Sequence, residues 1–190
     1  MKEVFVSHPG LQHAHQLAWA LHERSLLSAF WSGVPVLSEG EPLPFWLPAS
    51  YSQRVKTVAI PPELRRHPII FQGLLRAGSV LPSGFSREDY AHRVFHLFDW
   101  WVAKHIARLK PRVVVAYENA AFHTFRAAKS IGARCILDAP SLHHLAGAKL
   151  MVVKPTPYLA EINRRKNEEV SLADMILTCS PLAAEGYLNA

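Results

Sequence analysis

Three polar clusters in this chain directly follow apolar runs, and they hold the side chains best suited to chemistry. Tyr117-Glu118-Asn119 comes after Val113-Val114-Val115-Ala116, and Ser7-His8-Pro9-Gly10 after Val4-Phe5-Val6. The third, Asp138-Ala139-Pro140-Ser141-Leu142-His143-His144, comes after Cys135-Ile136-Leu137. A phenol such as Tyr117 donates a hydrogen bond near neutral pH but is a poor base, whereas Glu118 and Asp138 bring carboxylates. The turn at Gly10 leads into a helix, whose unpaired backbone N–H groups attract phosphate or carboxylate; yet one glycine is not a G-x-G-x-x-G fingerprint, and most such turns bind nothing. Asp138, Ser141, His143 and His144 could contact a ligand or cap their own loop. No nucleophilic triad is expected among them, because the residues are local and no G-x-S-x-G elbow accompanies them.

Strands must deliver these clusters to one place. Three successive β-branched valines suit a strand covered on both faces, and Lys110-Pro111 stops the helix before it. Asn119 is placed to cap a helix carrying Phe122, Phe125, Ala127 and Ala128, and Gly132 offers a left-handed exit before the strand Arg134–Leu137. At the start, Val4–Val6 is a strand, and Ala14, Leu17, Ala18 and Leu21 follow at helical spacing. Open parallel sheets bind ligands beyond the carboxyl ends of their strands, so residues 7–11 and 117–119 are expected side by side at the mouth of one sheet.

Elsewhere the signals are structural. Ser28–Ser32 reads as the second strand, followed by an irregular proline-rich excursion whose Phe45-Trp46-Leu47 tip either packs back on the core or meets a lipid headgroup region. Residues 54–60 alternate like an edge strand, and a helix is expected from Pro62 to Ala77 with Ile69, Ile70, Leu74 and Leu75 inward. Ser86 and Asp89 resemble a capping box that opens the longest helix, with an apolar stripe of Val94, Phe98, Trp101, Val102, Ile106 and Leu109. Asp89, His92, His96 and Asp99 lie opposite that stripe; without an H-E-x-x-H motif they imply a solvated face and no metal site. A helix after Thr156-Pro157 has no apolar residue between Ile162 and Val170, so its middle should be wet. Its i,i+4 pairs Glu161–Arg165, Arg164–Glu168 and Arg165–Glu169 would each contribute only about 0.3 kcal/mol. Met175–Thr178 reads as a buried strand, and the chain is expected to stop inside a helix beginning near Leu182.

A chain of 190 residues, 49% hydrophobic and 19% charged, can build one domain with a full core. The fold class implied is α/β: an open, doubly wound, mainly parallel Rossmann-like sheet with helices on both faces. Twenty-one Lys and Arg against 15 acids, a net +6, favour anionic partners such as phosphates, nucleotides or acidic lipid surfaces. Nucleic acid is not expected, since no aromatic-basic RNA motif or helix-turn-helix signature supports it. Two cysteines without a spaced framework suit a reduced, cytoplasmic protein. Met1-Lys2-Glu3 runs straight into a strand and no apolar run approaches ~20 residues, so neither a signal peptide nor a membrane span is expected.

Glu161 through Ser180, E-x-x-R-R-K-x-E-E-x-x-L-A-D-x-I-L-T-C-S, resembles the last helix and strand of the N-terminal domain of family-four retaining glycosyltransferases. The segments V-V-V-A-Y-E-N, H-P-G-L-Q-H and S-I-G-A-R-C-I-L-D resemble the corresponding stretches of that domain. The resemblance implies one half of a GT-B fold, an acceptor-binding domain spanning 1–190 whose nucleotide-sugar domain is absent and which is inactive alone. Its partners would be a nucleotide-sugar donor, held mostly by the other domain, and a glycan or glycolipid acceptor; no cofactor is implied. The implied class is a retaining transferase of the hexosyl type, as in polysaccharide biosynthesis. By position, Tyr117 and Glu118 would be the catalytic pair, with Tyr117 where many members have histidine. The substrate-binding set would be His8, Pro9, Gly10, Leu11, His13, Asn119, Asp138, Ser141, His143, His144 and Ser180, with Pro9-Gly10-Leu11 near the donor diphosphate and Ser180 facing the partner domain. A Rossmann-like binding module for a phosphorylated ligand, non-catalytic and either stand-alone or the partner of a separate donor-binding chain, is the alternative. The basic charge and the Phe45-Trp46-Leu47 loop together suggest reversible contact with the inner face of an anionic membrane.

Overall fold

The computed structural model of the chain describes residues 3–38, 40–42, 55–80, 82, 86–150 and 156–189; the Phe45-Trp46-Leu47 loop lies outside them. At the centre, β1 (Val4–His8) and β6 (Val113–Tyr117) run parallel, with Ser7 opposite Ala116. β2 (Leu27–Ser32) and the two-residue β5 (Arg65–Arg66) extend the sheet on one side. On the other side come β7 (Arg134–Asp138) and β8 (Met175–Leu177), giving the order β5-β2-β1-β6-β7-β8. Chain order runs outward in both directions from β1, so the connection reverses between β1 and β6 and opens a crevice at their carboxyl ends. A separate pair, β3 (Val36–Leu37) and β4 (Lys56–Thr57), stands beside this sheet. The described part of the 54–60 segment therefore pairs in a second sheet instead of edging the first.

Alternation along the strands sorts the core. Phe5, Val114 and Leu137 point to one face and pack with Phe98, Val102, Ile106 and Phe125. Val6 and Val115 point to the other, against Ala14 and Ala18 of α1 (Ala14–Glu23). Phe98, Val102 and Ile106 are completely buried on α3 (Arg87–Leu109), each contributing about 1.5–3 kcal/mol by leaving water. Ser86 caps α3 by accepting from the Asp89 N–H at 3.1 Å, as the sequence implies.

Several local expectations give way to tertiary packing. The helix expected from Pro62 begins only at Ile69; a 3-10 turn (Pro62–Leu64) and β5 precede it, because Pro68 disfavours helical backbone at His67. In the resulting α2 (Ile69–Ala77), Phe71 is the buried residue, whereas Ile69 and Ile70 are exposed. β8, expected to be buried, forms the sheet's outer edge, with Met175 and Leu177 open to solvent. A helix not anticipated in the sequence, α5 (His144–Leu150), follows the Asp138 loop.

The largest departure concerns the polar face of α3 and the middle of α6 (Leu159–Leu172), both expected to be solvated. Asp99 and Glu169 are fully buried, Arg165 nearly so, and Asp89 and His96 are buried as well. Both helices pack around the amino end of α4 (Phe122–Ser130). Asp99 accepts from the N–H groups of His123 and Thr124, each at 2.8 Å, and pairs with Arg165 at 2.7 Å. Glu169 accepts from the N–H groups of Asn119 (2.7 Å), Ala121 (3.0 Å) and Phe122 (3.1 Å). Asn119 is therefore held, not capping: it sits at φ 67 before the helix, and two carboxylates from other helices satisfy the α4 amino terminus. Burial and the neighbouring Asp99 push the Glu169 carboxyl up to about 8, against the pull of the amide donors.

Asp99→Ala would strip two acceptors from α4 and leave Arg165 buried without its carboxylate partner. A loss of about 3–5 kcal/mol in urea unfolding is expected, partly recovered by adding Arg165→Met; an unchanged midpoint in the single variant would refute this role for the pair.

Candidate functional site

The β1–α1 turn folds tightly against the ends of its neighbours. His8 is buried, its ring centroid 4.1 Å from that of Tyr117, and its Nδ1 accepts from the Gly10 N–H at 2.9 Å. Burial pulls the imidazole pKa down to about 3, so the ring is neutral and carries its proton on Nε2. Gly33, just past β2, donates its N–H to the His8 carbonyl at 3.0 Å, and a Cβ there would lie 1.9 Å from the Pro9 carbonyl oxygen. Only glycine fits this approach. Leu11 is half-buried against the α1 side of the core and accepts from the Ala14 N–H at 3.1 Å.

His13, at the start of α1, reaches across to the end of β7. Its Nε2 lies 2.9 and 2.8 Å from the two carboxylate oxygens of Asp138. The histidine is 42% exposed and the aspartate 10%, so a solvent-facing imidazole is anchored by a nearly buried acid. With Nε2 engaged, Nδ1 is left as the atom able to take a proton. Tyr117, opposite Asp138 in the ladder, has its pKa raised by burial and remains a hydrogen-bond donor. Beside the pair lies a depression of about 260 Å³ lined by Leu17, Pro140, Leu177 and Cys179 together with His13 and Asp138. A hollow of about 700 Å³ at the opposite rim, around Lys110, Arg112 and Arg134, is far from this chemistry.

Glu118 turns the other way. It is buried and accepts from Ser141 Oγ and from Tyr187 Oη (2.5 Å), with Lys166 Nζ at 3.3 Å. Burial and Glu118 hold the Tyr187 pKa above its ordinary value, so its hydroxyl stays a donor. His143 is also buried, its pKa lowered by burial, with its ring edge-on to Tyr187 at 5.3 Å. His144 bonds Asn167 at 2.6 Å, and Ser180 caps α7 (Pro181–Leu188) through the Ala183 N–H at 3.2 Å. Asn119 donates its N–H to Glu169, and its buried Oδ1 has no partner among the described residues.

The structure thus gathers His8, Pro9, Gly10, His13, Tyr117 and Asp138 at the crevice. Glu118, Ser141 and His143 gather behind it, and His144 and Ser180 serve local contacts. Sequence reasoning missed Gly33, Leu17, Leu177 and Cys179; only Gly33, directly after a strand, carried a local signal. Among the described residues no group of three or more His, Cys, Asp or Glu could hold a metal ion. None of their helices is long and apolar enough to cross a membrane.

This strand order, flanked by helices, defines a Rossmann-like half of the GT-B fold. The chain is similar to Phytolacca americana UGT2 complexed with UDP-2fluoro-glucose and pterostilbene, at TM-score 0.53 and 13% identity over 100% of this chain and 50% of that one. It is similar also to a UDP-glucosyltransferase from Polygonum tinctorium capable of glucosylating indoxyl (TM-score 0.50, 14% identity, 100% of this chain and 49% of that one). A third is a UDP-N-acetylglucosamine 2-epimerase from Listeria monocytogenes (TM-score 0.51, 13% identity, 99% of this chain and 41% of that one). The chain therefore spans half or less of the length of these structures, and at such identity the likeness is one of fold. No family model and no curated protein matches the chain.

The neutral, buried His8 makes stability sensitive to acid. Unfolded, it binds a proton near pH 6.5; folded, only near 3, so its contribution is present above 6.5 and is lost as pH falls toward 3. At pH 5 the wild type should take up about one more proton on unfolding than His8→Asn, a slope difference of about 1.4 kcal/mol per pH unit. Equal slopes in urea unfolding at pH 4.5–6 would show that His8 is charged in the folded state.

Proposed function

We propose that this chain is the acceptor-binding half of an enzyme that moves a sugar, of the hexosyl type, from a nucleotide-sugar donor to a hydroxyl acceptor. A second Rossmann-like domain supplies most of the donor site, and the half alone is inactive. The observation that carries this proposal is the His13–Asp138 pair at the topological switch point. There Nδ1 of His13 can remove the acceptor proton while Asp138 orients the ring and offsets the charge it gains. Similarity in fold to structures complexed with or acting on UDP-sugars supports it. Tyr117 donates a hydrogen bond to substrate. Glu118 acts by position, tying the Ser141 loop to α7, and the His8–Leu11 turn shapes the donor side of the crevice.

The resemblance to family four implies retention of configuration. A protein base that activates the acceptor favours instead a single displacement, which inverts it, and the anomeric proton coupling of the product distinguishes the two. The non-catalytic alternative, a phosphate-holding turn, is weakened because the Gly10 N–H is already given to His8. A cytoplasmic location with contact to an anionic membrane surface belongs to the same proposal and is tested by vesicle flotation.

In the complete enzyme, His13→Ala should lower kcat by about 10²–10⁴-fold with donor KM little changed, and Asp138→Asn should lower it by less. Undiminished transfer by His13→Ala would overturn the assignment.

A further inference from the structure

The pocket beside the His13–Asp138 pair is built for a particular kind of acceptor. Leu17, Pro140, Leu177 and Cys179 supply most of its wall, and Thr178 adds one hydroxyl. That hydroxyl already leans on the Ser180 carbonyl at 3.4 Å, and His13 and Asp138 are bonded to each other. A glycan entering here would give up water on several hydroxyls with few groups to replace it, and unpaired polar groups are costly to bury. An apolar body would instead cover Leu177, a large side chain left 38% exposed at the end of β8. The volume, about 260 Å³, suits a body of two fused rings or a short branched chain.

Resting on the transferase function above, we infer that the acceptor is an alcohol or phenol whose single reactive hydroxyl is carried on an apolar body. The hydroxyl meets His13 and the body lies over Leu17, Pro140 and Leu177.

Cys179 reports occupancy directly. It is exposed on the pocket wall, whereas Cys135 is completely buried with its thiol pKa pushed up to about 11. Iodoacetamide should therefore modify Cys179 selectively. With the full chain, 2-naphthol should slow this alkylation roughly tenfold at ten times its dissociation constant, while maltose should leave the rate unchanged. Leu177→Asp, and independently Leu17→Gln, should each raise the 2-naphthol concentration needed for half-protection by about tenfold or more, with far-UV dichroism confirming the fold. The inference is overturned by protection from maltose equal to that from 2-naphthol, by no protection from 2-naphthol, or by protection that survives both substitutions. Protection without any sugar transfer by the complete enzyme would sink the transferase function and leave the apolar site standing; transfer to saccharides without 2-naphthol protection would do the reverse.

Discussion

Two buried carboxylates at the amino end of α4 hold the middle of this molecule together. Asp99 from α3 and Glu169 from α6 receive five backbone N–H groups between them; Arg165 pairs the Asp99 charge, while burial raises the Glu169 carboxyl to about 8 and favours its neutral form. An α-helix leaves its first N–H groups without intrahelical partners, and burying such an end without acceptors would be prohibitive. Here the acceptors come from distant parts of the chain, so the arrangement binds three helices and the β6–α4 turn into one unit. The turn that presents Tyr117 and Glu118 is consequently anchored from beneath, at Asn119, by a group 50 residues away.

Above that anchor, the parallel sheet does the positioning. Its reversal of order between β1 and β6 leaves room at the carboxyl ends for side chains from both halves. His8 and Tyr117 fill the crevice floor as neutral rings in contact with their planes tilted by 47°, and Gly33 lets the Pro9 backbone close down on β2. His13 and Asp138 then meet across it, one on a helix start and the other on a strand end. Each is placed by an element with its own packing, which is how a polar pair keeps its geometry while half of it faces solvent.

Much of this was legible in the chain. The valine run, the apolar residues after Gly10, Gly132 and the Ser86 cap marked β6, α1, the end of α4 and the start of α3 through local rules of propensity, period and turn chemistry. That the carboxyl ends of β1 and β6 would lie side by side followed from the parallel topology those elements imply, although Glu118 and Asn119 turn away from the crevice. Asp99, Arg165 and Glu169 were not legible as a core. On a helical projection they look like any solvated face, and only the packing of α3 and α6 around α4 shuts water out. The i,i+4 pair between Arg165 and Glu169 is replaced for the same reason, since each finds a better partner on another element.

His13 and Asp138 show the division most clearly. The sequence by itself determined that both would stand at the carboxyl edge of one sheet, because strand and helix boundaries depend on neighbours a few residues apart. Only the tertiary structure decided that they would face each other at hydrogen-bond distance, and that Glu118, between them in sequence, would turn inward to Tyr187. Such choices depend on which way each loop leaves its strand, and that direction is set by contacts between residues as much as 125 positions apart.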